Sequence, residues 1–107
     1  MSVRRLVQMP RARLDVREIV ADLTDRNPTK AAKFYVAYKE TLALLRAHPE
    51  LGERCPFTYP SATLRWRPLR DVREYLIFTD YDGETIKIVR VLYKGRNIQA
   101  MLEDESG

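Results

Sequence analysis

Apolar positions along the chain change period three times, and those changes divide it into elements. Val3, Leu6 and Val7 sit in a short run from Val3 to Gln8 that predicts a strand. Pro10 suits the first turn of a helix, where its missing N–H costs nothing. Ala12, Val16, Ile19, Val20 and Leu23 then recur with helical spacing and predict a helix from Pro10 to Thr24. Asn27-Pro28 is a second start signal, a capping side chain followed by proline at the first helical position. Ala31, Phe34, Tyr38, Leu42 and Leu45 mark one face of a second helix, which stops before Pro49. The short link Asp25-Arg26-Asn27 makes the two helices an antiparallel hairpin.

The second half reads differently. Glu53 to Ala62 reads as a connecting loop, broken by Pro56 and Pro60. Strands are expected over Leu64–Pro68, Glu74–Thr79 and Thr85–Tyr93, and Asp82-Gly83 between the last two is a hairpin turn signal. Ile98, Met101 and Leu102 offer one apolar helical turn before the acidic run Glu103-Asp104-Glu105. The fold class is α+β. An N-terminal strand and a helical hairpin precede a mainly antiparallel sheet in the order β-α-α-β-β-β, with the hairpin packed on one sheet face. The 107 residues are expected to form one domain.

Composition adds a modest constraint. Lys and Arg number 19 against 15 Asp and Glu, a formal charge of +4. A surplus this small permits an anionic partner without demanding nucleic acid, so the clustering of charge matters more than its sum. Arg65, Arg67, Arg70 and Arg73 fall within nine positions, and Arg90, Lys94 and Arg96 mark the end of the last strand. Guanidinium groups are planar, permanently charged forks suited to phosphate and carboxylate. In the first basic strand Leu64 and Trp66 point one way and Arg65 and Arg67 the other. Arg90, between Val89 and Val91, is expected to point outward and join Arg65 and Arg67 on one open basic face. One Cys and one His argue against a zinc site, and no cofactor is expected. Cys55 has no partner for an internal disulfide. No apolar run reaches membrane-spanning length, and a cytoplasmic location is expected. His48 at the end of the second helix is read as a helix-end contact. Of the tyrosines, Tyr35, Tyr38 and Tyr75 are read as packing or interface residues, and Tyr93 lies beside the basic cluster.

Several segments resemble the RelE/ParE superfamily of bacterial toxins. They are Met9-Pro10-Arg11-Ala12, Asn27-Pro28-Thr29-Lys30-Ala31-Ala32, His48-Pro49-Glu50-Leu51-Gly52, Tyr75-Leu76-Ile77-Phe78 and Ile86-Lys87-Ile88-Val89-Arg90-Val91-Leu92. Their order and spacing carry the likeness, which covers nearly the whole chain. Val91-Leu92-Tyr93-Lys94-Gly95-Arg96-Asn97 is similar to the strand end of the ParE-like branch, with Tyr93 where His is common and Asn97 where Asp is common. The resemblance implies a type II toxin that inhibits DNA gyrase, has no catalytic set of its own and is neutralised by a cognate acidic antitoxin. The contact candidates are Arg65, Arg67, Arg70, Arg73, Arg90, Tyr93, Lys94, Arg96, Ile98, Met101 and Leu102. The alternative within the same superfamily is a ribosome-dependent mRNA endonuclease. Arg65, Arg67, Arg90 and Arg96 would then stabilise phosphate charge and Tyr93 would act as the acid, with no obvious base.

Overall fold

The computed structural model describes residues 5–57 and 61–103. Val3, Tyr59, Pro60 and the acidic positions Asp104 and Glu105 lie outside those residues. The elements run β1 (Arg5–Gln8), α1 (Pro10–Arg26), α2 (Pro28–Ala47), β2 (Glu53–Arg54), β3 (Arg65–Leu69), β4 (Val72–Tyr81), β5 (Thr85–Tyr93) and α3 (Ile98–Glu103).

Local chemistry places these boundaries. Proline opens both α1 and α2, and the Asn27 side chain accepts from the Lys30 backbone N–H, satisfying a donor left open at the start of α2. Asn27 alone separates the helices, so the link is tighter than the three residues expected. At the β4–β5 turn the Asp82 carboxylate accepts from the backbone N–H groups of Glu84 and Thr85, and Gly83 takes φ 98°. The Asp82 carboxyl is held below its ordinary range, first by the Thr85 N–H and then by that of Glu84.

The sheet order is β1-β5-β4-β3-β2. β1 runs parallel to β5, and all other neighbours are antiparallel. Two expectations are corrected. The segment read as a loop from Glu53 contains β2, which pairs Glu53 with Trp66 and Arg54 with Arg65. β3 and β4 also reach closer together than expected, with Leu69 opposite Val72 and Asp71 at φ 68° in the turn between them. Gly52 lies just before β2 in a left-handed conformation, φ 103°, and a Cβ there would meet the Trp66 carbonyl oxygen at 2.8 Å.

Both sheet faces carry apolar clusters. On one, α1 and α2 pack Ala12, Leu23, Phe34, Tyr38 and Leu45 against Tyr75, Ile77, Ile86, Ile88 and Val91. Phe34 meets Tyr75 edge-on at 5.0 Å between ring centroids, and Tyr38 reaches Gln8 Oε1 through its hydroxyl at 2.8 Å. The opposite face holds Cys55, Leu64, Phe78 and Leu92, with Ile98 and Leu102 of α3 completing the cluster. Ile98 and Leu102 therefore serve as buried core residues in this fold, and Met101 is half-buried. The helical hairpin backs one sheet face as the sequence predicts, but the other face carries this apolar cluster and is not an open basic one.

Candidate functional site

Arg90 departs furthest from expectation. It is fully buried, at 0% exposure, and faces Asp15 of α1, itself 6% exposed. Arg90 Nε donates to Asp15 Oδ2 at 2.7 Å, Nη2 donates to Oδ1 at 2.9 Å, and Nη1 donates to the Met101 carbonyl at 2.6 Å. Asp15 Oδ2 also accepts the backbone N–H of Val91 at 3.0 Å. The bidentate pair thus ties α1 to β5, and the bond to the Met101 carbonyl ties β5 to α3.

The reason lies in the strand ladder. β1 follows β5 only from Thr85 to Ile88, after which the chain turns into α1. Beyond Ile88 the β5 edge has no neighbouring strand among the described residues, and the Asp15 carboxylate takes the place of one at Val91. Facing strands also change register here, since Phe78 lies opposite Arg90 while Thr79 lies opposite Ile88. Val89 is the extra residue of this bulge, and a bulge re-aims side chains relative to simple alternation. Arg90 consequently does not join an open face with Arg65 and Arg67.

Those two arginines lie elsewhere. Arg65 pairs with Thr79 and Arg67 with Ile77, so both project from the helix-bearing side of the sheet, near its β2–β3 edge. Both are half-buried. Arg65 Nη1 donates to the Gly52 carbonyl at 3.1 Å, and Arg67 Nε donates to the Pro68 carbonyl at 3.3 Å. Arg70 and Arg73 are exposed around the β3–β4 turn. The seven basic candidates therefore form no single patch. They divide between the β3 edge and turn and the end of β5, and Arg90 is withdrawn into the core.

A groove of about 1100 Å³ lies along α1, opposite the end of β5 and α3. Among the residues that border it are Tyr75, Tyr93, Arg96 and Met101. Tyr93 is 48% exposed and meets Tyr75 edge-on at 5.6 Å. A methyl group at Gly95 would overlap the Tyr93 ring, so this glycine lets the ring lie against the turn. Near the other helix end Lys30 pairs with Glu74, which raises the Lys30 ammonium and lowers the Glu74 carboxyl from their ordinary values. Arg26 pairs with Asp22 at 2.6 Å within α1. Lys94 and Arg96 are exposed beside Tyr93. Of the sequence candidates, Arg90, Tyr93 and Arg96 gather along this groove with Met101, whereas Arg65, Arg67, Arg70 and Arg73 do not.

Sequence reasoning overlooked Asp15 and Arg11. Asp15 had a readable signal, since it falls on the apolar stripe of α1 between Ala12 and Val16, where an unpaired acid would be costly. Among the described residues no cluster of three His, Cys, Asp or Glu side chains is arranged to hold a metal, and no helix is long and apolar enough to cross a membrane.

Comparison with known proteins bears on this arrangement. Residues 6–98 match the family model described as the ParE toxin of a type II toxin–antitoxin system, parDE. The fold is similar to a chain of the "Chromosomal ParDE TA system from P. aeruginosa", with a TM-score of 0.69 and 21% sequence identity. That similarity covers 85% of this chain and 96% of the other. No curated protein matches the chain in sequence.

Proposed function

The chain belongs to the ParE toxin family of type II toxin–antitoxin systems, and from that premise we propose that it arrests growth by binding DNA gyrase. In this reading it works in the cytoplasm, forms no covalent intermediate and is silenced by a cognate acidic antitoxin. One observation favours docking over chemistry. Arg90, the most central cation of the alternative nuclease set, is committed to Asp15 and to the Met101 carbonyl. A phosphoryl-transfer site needs preorganised cations aimed at the charge that develops on phosphorus. Arg65 and Arg67 lie on β3 while Tyr93 and Arg96 lie at the far end of β5, which supports a reading in which these groups are parts of contact surfaces.

The test uses purified chain in two assays. It should inhibit gyrase supercoiling at near-stoichiometric ratios, and it should leave ribosome-bound mRNA uncut. Codon-linked mRNA cleavage with supercoiling untouched would overturn the proposal. Antitoxin added in equimolar amount should restore supercoiling. Coupled folding of a disordered antitoxin segment would cost about 2–5 kcal/mol of the gross binding energy, so a long contact surface is required.

A further inference from the structure

The groove along α1 contains an imbalance that the fold leaves open. Among the described residues five cations border it, and three have carboxylates of their own: Arg90 with Asp15, Arg26 with Asp22, and Lys30 with Glu74. Arg11 and Arg96 have none among the described residues. Arg11 is half-buried, and its Nε is enclosed with no hydrogen-bond partner. A charged N–H shut away from water without an acceptor is costly, so the half-buried Arg11 guanidinium gains an acceptor when it turns to an incoming carboxylate in the groove. Arg96 borders the groove from the turn after β5, on the side facing α1, and is exposed.

We infer that Arg11 and Arg96 form a carboxylate-binding subsite for an acidic segment of the antitoxin, laid along the groove. The inference rests on the toxin–antitoxin reading above and adds where, and through which groups, the partner is gripped. The shape fits a peptide. From Arg11 to Arg26 the helix wall extends roughly 22 Å at 1.5 Å per residue. That length accepts about six or seven residues of extended chain. The lining fits alternating acidic and apolar side chains, because half-buried Ile19 and Met101 and the exposed Tyr93 ring supply apolar surface along it. A nucleic-acid strand fits less well. Its backbone carries a charge at every nucleotide, and Glu18, Asp22 and Glu74 would face that charge along the walls. A peptide can place carboxylates only at Arg11 and Arg96 and pass the acids with uncharged side chains.

The experiment compares three full-length chains: wild type, Arg11→Gln/Arg96→Gln, and Arg5→Gln/Lys87→Gln. The last loses the same charge from exposed positions on β1 and β5 that do not border the groove. Each is titrated with the cognate antitoxin at about 50 mM and about 200 mM salt, and with a short DNA duplex as a polyanion probe. Arg11→Gln/Arg96→Gln should lose at least about tenfold in antitoxin affinity at the lower salt, and its salt dependence should flatten. Arg5→Gln/Lys87→Gln should stay within about threefold of wild type. The thermal midpoint of Arg11→Gln/Arg96→Gln should not fall below that of wild type, because Arg11→Gln removes an enclosed donor without an acceptor and neither arginine has a carboxylate partner among the described residues. Equal losses in the two variants, no loss in either, a wild type that does not bind the antitoxin, or a loss confined to the DNA probe would each overturn the inference. Gyrase inhibition by the wild type is scored separately. Its absence alongside an Arg11- and Arg96-dependent antitoxin complex would remove the gyrase proposal and leave the subsite standing.

Discussion

Arginine does different work at the two ends of the sheet. At the β1–β5 end, Arg90 is sealed inside the protein and exchanges paired hydrogen bonds with Asp15. At the β3–β2 end, Arg65 and Arg67 are half-buried and donate to backbone carbonyls. The difference follows from what each strand lacks. β5 outruns its neighbour β1 and leaves a backbone N–H without a strand partner, so a charged pair closes the gap. β3 has β4 along its inner edge and β2 beside Arg65 and Trp66 on the outer one, and its arginines meet backbone carbonyls. At β5 the buried charge closes a ladder end that α1 covers, and charge density in the sequence does not report it.

The largest effect should come from breaking the buried pair. Arg90→Ala leaves Asp15 enclosed and unpaired, and removing one partner of such a pair costs about 3–5 kcal/mol. The thermal midpoint should fall by more than about 12 °C. Changing both partners together, as Asp15→Leu with Arg90→Met, should recover part of that loss, since apolar replacement of a buried pair is often near neutral. Recovery should stop short of wild type, because the Val91 N–H and the Met101 carbonyl would still lack partners. A loss below about 1 kcal/mol for Arg90→Ala would mean that the two ends of the sheet do not differ in this way.

A pH scan probes the helix-bearing face next. Burial, reinforced by the Asp15 charge, pushes the Tyr38 hydroxyl up to about 12. The folded chain therefore holds this proton more tightly than the unfolded chain, whose tyrosines titrate near 10. The stabilisation is complete below about pH 10 and is lost as pH rises towards about 12. Denaturant unfolding across that window should show stability falling in wild type. Tyr38→Phe should lose about 1 kcal/mol at neutral pH with the Gln8 hydrogen bond, yet show a shallower fall between pH 10 and 12. Parallel pH curves for the two proteins would contradict burial as the cause.

The helices were legible because their signals are local. Proline and asparagine mark the starts, and the apolar spacing from Ala12 to Leu23 and from Ala31 to Leu45 marks the buried face. Asp82-Gly83 gave the β4–β5 turn for the same reason. β2 was not legible, since two exposed residues acquire strand geometry only by pairing with Trp66 and Arg65. Strand alternation predicted an outward Arg90, and the Val89 bulge with the early end of β1 defeats that rule. Two charges inside apolar stripes, Asp15 on α1 and Arg90 between valines, were nonetheless a readable hint that they meet. The contact surface was legible only in part. Tyr93 and Arg96 were in view, whereas the groove depends on how α1 crosses the end of β5.

At the β3 edge the expected effects are smaller. Arg65→Glu together with Arg67→Glu removes two hydrogen bonds to carbonyls at half-buried positions, and unfolding stability should fall by about 1 kcal/mol. Binding to an acidic partner should weaken chiefly through slower association, more strongly at low salt, which stopped-flow mixing would record. A loss of stability as large as that of Arg90→Ala would erase the contrast between the two ends.

The most direct test of the account is gyrase supercoiling inhibition by Tyr93→Phe beside wild type. Tyr93 is exposed at the groove, and phenylalanine keeps the ring against Tyr75 and Gly95 while removing the one proton the side chain could give. If the chain acts by docking, Tyr93→Phe should inhibit within about threefold of wild type, the scale of one exposed hydrogen bond. A proton-transfer role contributes on the order of 10²–10⁴-fold. A loss of activity on that scale, accompanied by mRNA cleavage that disappears with the hydroxyl, would contradict the account.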